Sequence, residues 1–198
     1  MQGGFPNIRH MRVFLETVRT GSIGTAAALC NLSQPAATQA IARIEAVLGT
    51  PLLNRKRQQS SVTPCGAVFQ ERAAAALEHL KEGAAAALRE GGAKGRTQHR
   101  FETQITASQL RNLIAIANTG SFTVAAQTLG LSQPTVHRAA RSLEAVAGVP
   151  FFAARPSGVR LTSAAEAFVL RAKLAQSEIR QGIEEISQTL GIERAVLC

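Results

Sequence analysis

The chain has 198 residues, 22 Lys or Arg against 13 acids that are all Glu, a formal charge of +9 and a pI of about 10.9. Apolar residues at 45% are enough for a packed core and too many for a disordered polyelectrolyte; 4% aromatics, with no Tyr or Trp, argue against a sheet-rich fold and a stacking platform for single-stranded nucleic acid. What remains is an alanine-rich helical protein with an anionic partner, long enough for one medium domain or two small ones.

The opening Met1-Gln2-Gly3-Gly4-Phe5-Pro6 lacks the apolar core of a signal sequence, so a cytoplasmic location is expected. The uncharged stretches 20–42 and 112–136 are interrupted by Gly, Ser, Gln, Asn and Pro and do not read as membrane spans. Cys30, Cys65 and Cys198 are odd in number and far apart, with no CxxC and no paired His, which disfavours disulfide frameworks and zinc modules. They read as buried or incidental thiols, and no metal or cofactor is expected.

In chain order, Ile8, Met11, Leu15 and Val18 fall at helical spacing, and Gly21 ends that helix. Ser22 caps a second helix through Ala26, Ala27 and Leu29. A turn of about four residues centred on Asn31 follows, a residue type that accepts a left-handed backbone. Ser33 then caps a third helix, with Pro35 in its first turn, where a missing N–H costs nothing; the helix runs to Gly49, and Pro51 prevents its continuation. Residues 55–63, Arg-Lys-Arg-Gln-Gln-Ser-Ser-Val-Thr, form a short basic loop with an extended, β-branched end, which fits a wing. Phe69, Ala73, Ala76, Leu80, Gly83 and Ala87 then step by fours and threes, a narrow apolar seam suited to pairing with another helix.

The whole series then returns 99 residues later. Arg12 to Gly66 aligns on Arg111 to Ala165 without a gap, and 17 of 55 pairs are identical, including Thr-Gly-Ser at 20–22 and 119–121 and Leu-Ser-Gln-Pro at 32–35 and 131–134. The shared Gly, Pro, Ser and Gln are structural punctuation, so bulk alanine did not produce the match. In the second copy Leu110, Leu113, Ile114 and Ala117 form the first helix, Gly120 ends it, and Ser121 caps the second through Ala125, Ala126 and Leu129. Gly130 centres the turn, Ser132 caps the third helix ahead of Pro134, Gly148 and Pro150 close it, and residues 155–162 form the second wing. Phe168, Ala172, Ala175, Ile179, Gly182 and Ile186 repeat the seam. Helix, four-residue turn and Ser-capped helix make a helix-turn-helix. The expected organisation is mainly α: winged helix-turn-helix domains at 7–66 and 105–165, linker helices at 67–90 and 166–190, and a Gly-rich basic tether at 91–104.

These residues resemble the DNA-binding region of LysR-type transcriptional regulators, once in each half. The match rests on Phe14-Leu15, Gly21-Ser22, Ala26-Ala27, Leu32-Ser33-Gln34-Pro35, Ile44-Glu45, Leu48-Gly49, Pro51-Leu52-Leu53, Arg55 and Val62-Thr63, and on the corresponding set from Gly120-Ser121 to Leu161-Thr162. The resemblance implies a winged helix-turn-helix followed by a linker helix that pairs antiparallel with a second one, and gives Phe69, Ala73, Ala76, Leu80, Phe168, Ala172, Ala175 and Ile179 a dimerisation role. Such regulators normally continue into a ligand-sensing domain; only residues 191–198 follow the second linker helix here, so no small-molecule effector site is expected in this chain. Two departures stand out: Arg55 aligns with Ala154, and the pair after the wing is Cys65-Gly66 in one copy and Ala164-Ala165 in the other, so the wings are expected to meet the DNA backbone differently.

The resemblance assigns base-edge contact to Gln34, Ala36, Thr38 and Gln39 in one copy and to Gln133, Thr135, His137 and Arg138 in the other. Gln suits adenine, Arg suits guanine, and an Ala or Thr methyl can meet the thymine methyl. Ser33 and Ser132 are contacts or simply caps; Arg43 and Arg141 are expected on phosphate or a flanking base, and Arg55, Arg57, Arg155 and Arg160 on the wings. Ile41, Ile44, Leu48 and Leu143 are assigned to the core. Residues 1–67 carry +5, 105–165 carry +4 and the tether 93–104 carries +2, whereas both linker-helix segments are −1. That is the footprint of a duplex binder.

The expected function is therefore a sequence-specific double-stranded DNA-binding transcriptional regulator reading two unlike half-sites. It acts as an intramolecular pseudo-dimer or as a homodimer with four heads. The alternatives are a truncated regulator that pairs with a full-length relative, and a nonspecific architectural binder. With no Asp, no Ser–His constellation and no phosphate-binding Gly loop, an enzyme is the weakest class.

Overall fold

The computed structural model describes residues 5–55, 60–92, 100–155 and 158–196. The fold is mainly helical, with two small hairpins. The first head contains α1 (Ile8–Thr20), α2 (Ile23–Leu29), α3 (Gln34–Leu48) and the strands β1 (Leu53–Arg55) and β2 (Ser60–Val62), and leads into α4 (Pro64–Glu90). The second repeats it with α5 (Ala107–Thr119), α6 (Phe122–Leu129), α7 (Gln133–Ala147), β3 (Phe152–Arg155), β4 (Gly158–Leu161) and α8 (Ser163–Val196). By contacts the chain divides into two compact units: Pro6–Ala76 with Ser177–Cys198, and Met1–Phe5 with Leu77–Gln176. The division falls inside both linker helices, so each head shares its unit with the end of the other copy's linker helix.

Local chemistry sets the helix ends. Gly21, Gly49, Gly120 and Gly148 close α1, α3, α5 and α7 in the left-handed conformation. Ser22, Ser33 and Ser121 cap the following helices through their side chains. Ser132 does not: its hydroxyl bonds the Thr135 hydroxyl at 2.8 Å, and α7 starts without a side-chain cap. Thr106 and Gln109 form a capping box ahead of α5.

In the first head, Ile8, Met11 and Phe14 of α1 are buried together with Ala26 and Ala27 of α2 and Ala37, Ile41 and Ile44 of α3. Leu15, Val18 and Leu48 are only half-buried. Leu29 is 55% exposed, because Ala26 and Ala27 occupy the inward phase of this seven-residue helix. In the second head Leu129, at the place of Cys30, packs on the core cluster of Ala115, Ile116, Ala125, Ala126, Val136 and Ala140. Leu143 is buried as expected. The eight phenylalanines are all buried or half-buried, so none is spent on an exposed stacking surface. Phe101, inside the span expected to be tether, forms a short 3-10 turn over Phe101–Thr103 and packs at 5.1 Å from Phe168 and 6.3 Å from Phe151. Burying such a ring is worth about 1.5–3 kcal/mol, which anchors the tether's end to the second head.

The wings lead straight into the linker helices. The Thr63 hydroxyl donates to the Pro51 carbonyl at 2.9 Å and accepts the Gly66 N–H at 2.9 Å; Thr162 does the same with Pro150 and Ala165 at 2.8 and 3.2 Å. The helices therefore begin at Pro64 and Ser163, three residues earlier than the sequence suggested. Every seam residue, from Phe69 to Ala87 and from Phe168 to Ile186, is buried. In one unit Arg171 of α8 lies on Gly83 of α4, where an added Cβ would come within 2.8 Å of the Arg171 Cβ. Its guanidinium pairs with Glu82 at 2.7 Å and reaches His79 Nδ1 at 3.4 Å. In the other unit Arg72 of α4 lies on Gly182 of α8, pairing with Glu178 at 2.8 Å, Gln181 at 3.0 Å and Glu185. Hydrogen bonds with Glu185, then with Glu178, hold the Arg72 pKa above its usual range, and Arg72 in turn lowers that of Glu185. A methyl at Gly91, just past α4, would fall 2.7 Å from Val149 Cγ1, so α4 ends against the loop following α7.

Candidate nucleic-acid interface

Each turn between the second and third helices is built by one left-handed residue. Asn31 has φ 51° and Gly130 φ 64°. The next residue's N–H then bonds back into the preceding helix, Leu32 to the Ala27 carbonyl and Leu131 to the Ala126 carbonyl, each at 2.9 Å. Arg9 of α1 clamps the first turn by donating to the Asn31 carbonyl at 3.2 Å.

On α3 the assigned residues form an open face. Ser33, Gln34, Gln39 and Arg43 are exposed, and Ala36 and Thr38 half-buried, while Ala37, Ala40 and Ile41 turn inward. The Ser33 hydroxyl is partly committed, accepting the Ala36 N–H at 3.4 Å. Thr38 donates its hydroxyl to the Gln34 carbonyl at 3.0 Å, so that hydroxyl is already engaged within its own helix. Arg43 makes no ion pair among the described residues. It lies close enough to His10 to act on it: burial first, then Arg43 and Arg9, hold the His10 pKa below its usual value.

On α7, Ser132, Gln133, Arg138 and Arg141 are exposed, and Thr135 and His137 half-buried. Two of these make contacts that the sequence did not signal. Arg141, assigned to phosphate or a flanking base, pairs with Glu144 at 2.9 Å. His137 stacks on Phe122 with ring centroids 4.2 Å apart and planes at 30°, so its ring is fixed by a neighbouring helix. At the place equivalent to His10 and Arg43, the second head has Gln109 donating to the Ser142 hydroxyl at 3.0 Å, a neutral contact in place of a cationic one.

Glu45 and Glu144 are structural residues that the sequence offered only as shared letters. Glu45 accepts the N–H groups of Leu52 and Leu53 at 2.9 and 3.3 Å, and Glu144 those of Phe151 and Phe152 at 2.8 and 3.0 Å. Each ties the base of a wing to the third helix of its head, α3 or α7. The wings pair antiparallel, Leu53 with Val62 and Phe152 with Leu161 at their bases. Arg155 and Arg160 are exposed on the second wing; Arg155 pairs with Gly158 and Arg160 with Ala153 in the ladder. The backbone of Arg55 lies in β1, whereas its side chain and all of Arg57 lie outside the described residues. Cys65 is buried and Cys30 half-buried, and burial, then Glu16, pushes the Cys30 thiol pKa up; Cys198 lies outside the described residues.

A family model described as "Bacterial regulatory helix-turn-helix protein, lysR family" matches twice, over residues 8–67 and 107–166. The chain belongs to the LysR family. It carries the family's helix-turn-helix region twice. Among similar LysR-type proteins, the HTH-type transcriptional regulator GalR of Pseudomonas putida KT2440 is 29% identical over 192 residues, covering 97% of this chain and 47% of GalR. The match thus extends over both heads. TdcA of Escherichia coli K12 is 37% identical over 76 residues, 38% of this chain and 24% of TdcA. The chain therefore spans about half the length of one relative and aligns with about a quarter of the other. Among solved structures, the BenM_DBD/catB site 1 DNA complex is 33% identical over 34% of this chain and 74% of that one, with a TM-score of 0.33. Full-length CbnR complexed with its target DNA is 28% identical over 48% and 30%, with a TM-score of 0.35. No helix among the described residues is long and apolar enough to cross a membrane.

Proposed function

We propose that one chain reads two unlike half-sites on double-stranded DNA as a single-chain pseudo-dimer, its own linker helices supplying the pairing that a homodimer would take from two subunits. The observation that carries this reading is the repeated clasp. Arg72 and Arg171 are equivalent at offset 99, as are Gly83 and Gly182, and each Arg lies on the other copy's Gly. The polar partners are equivalent too, Glu178 and Gln181 for Arg72 against His79 and Glu82 for Arg171. Reciprocal contact of that kind is how a two-fold dimer recognises itself. Up to the packed Phe101 turn, the segment 91–100 could reach up to about 35 Å, and a short tether gives an intramolecular pairing an effective concentration near the millimolar range.

The heads then supply the sequence preference. Gln34, Ala36, Thr38 and Gln39 would offer amide and methyl groups to the first half-site, whereas Gln133, Thr135, His137 and Arg138 shift the second toward guanine. The wings, with Arg155 and Arg160 on one of them, add phosphate contact and the steep salt dependence that accompanies it. On this reading the protein acts in the cytoplasm, where its duplex partner is. Selection of bound sequences from random duplexes should return two unequal half-sites, the second richer in guanine. A perfect palindrome would overturn the proposal.

A further inference from the structure

We propose that Phe122 is a positioning residue for base reading by the second head: its ring holds the His137 imidazole in one orientation at the start of α7 and thereby fixes that head's preference at one base pair. The inference rests on the reading of α7 as a recognition helix. Phe122 is the first residue of α6, and His137 the fifth of α7. Side chains on a helix lean back toward its N-terminus, which carries the imidazole onto the Phe122 ring at 4.2 Å and 30°.

The Phe122 ring is itself seated. It tilts against Phe152 of β3 at 5.6 Å and 57°, and both rings pack on the core cluster around Ala126 and Val136. One aromatic column, Phe152–Phe122–His137, thus joins wing, α6 and recognition helix. His137 stays half-buried beside the exposed Gln133 and Arg138, so an edge of its ring remains open to the groove. A ring already held in place loses less freedom on binding and presents one nitrogen edge, whose N–H can donate to guanine N7 or O6.

The first head has no such device. Ile23 stands at the place of Phe122 and Thr38 at that of His137, and the Thr38 hydroxyl is turned onto the Gln34 carbonyl of its own helix. A methyl in one head and an oriented imidazole in the other are different readers, and the difference starts outside the recognition helix.

The test uses the full chain and random-duplex selection with four proteins: the native sequence, Phe122→Ile, His137→Thr and Phe122→Tyr. The first two changes copy residues that the first head already carries, and an unfolding midpoint confirms that each variant is folded. Phe122→Ile and His137→Thr are each expected to weaken discrimination at the same single base pair of the second half-site, by about tenfold, with the other positions unchanged. Combining them should add no further loss, because both act through one contact. Phe122→Tyr, which keeps the ring, should retain the native preference. If His137→Thr flattens that position and Phe122→Ile does not, the positioning role is wrong while the half-site reading stands. A uniform loss of affinity with Phe122→Ile would mark a merely structural residue and equally overturn the inference. A native chain without base preference at the second half-site defeats the reading and the inference together.

Discussion

Val13 and Asn112 occupy the same place in the two heads, both buried, and the substitution shows what a polar group costs there. Asn112 Nδ2 donates to the Ser108 carbonyl at 2.8 Å, but its Oδ1 has no hydrogen-bond partner among the described residues. Asn112→Val should therefore stabilise the second head by about 1 kcal/mol, read as a higher thermal midpoint. A lower midpoint would show that the oxygen has a use. His10 makes a second residue-scale prediction. Its folded pKa lies below the ordinary 6.5, through burial and then Arg43 and Arg9, so across that interval the unfolded chain binds more protons. Stability linked to neutral His10 is complete above about pH 6.5 and is lost as pH falls through the lower folded value. His10→Gln, copying Gln109 of the second head, should reduce the drop in unfolding midpoint between pH 7.5 and 5.5. An unchanged drop would place the acid sensitivity elsewhere.

At the scale of elements, the start of each linker helix shows how closely the two copies follow one plan and where they part. A Cβ added at Gly66 would lie 2.0 Å from the Leu52 carbonyl oxygen, whereas Ala165 stands at the same place in the second head, with Phe151 and Phe152 replacing Leu52 and Leu53. Gly66→Ala should destabilise the first head by about 1–3 kcal/mol, although alanine alone would favour the helix by up to about 1 kcal/mol. A gain in urea midpoint would mean that the strand yields. The helix-turn-helix was readable from the letters because its punctuation is local: Gly21, Asn31, Gly49 and their counterparts are chosen by φ, and Ser22 and Ser121 by the N–H groups they satisfy. The phase of α2 was not legible, because an alanine-rich helix of seven residues has too little apolar contrast to fix it. The contacts of Ser132, Arg141 and His137 were hidden for another reason. Their partners, Thr135, Glu144 and Phe122, compete for the same side chains, and for His137 that partner lies on a different helix. Phe101 stood alone among polar residues, so nothing in the sequence around it signalled burial in the second head's core.

For the whole molecule, charge and repeat say the same thing. The positive excess lies on the two heads and the tether, and the linker-helix segments at −1 each are left to pair through apolar seams closed by Arg72 and Arg171. The same periodicity that suggested helix pairing in the sequence is satisfied twice by reciprocal contacts between α4 and α8. The central claim is that one chain supplies both halves of the dimer. Its most direct test is the mass of the 198-residue chain at micromolar concentration, free and bound to a duplex carrying one selected pair of half-sites. A single-chain pseudo-dimer gives a monomer in the free state and one chain per duplex; an obligate dimer, or two chains with four heads on that duplex, would contradict it.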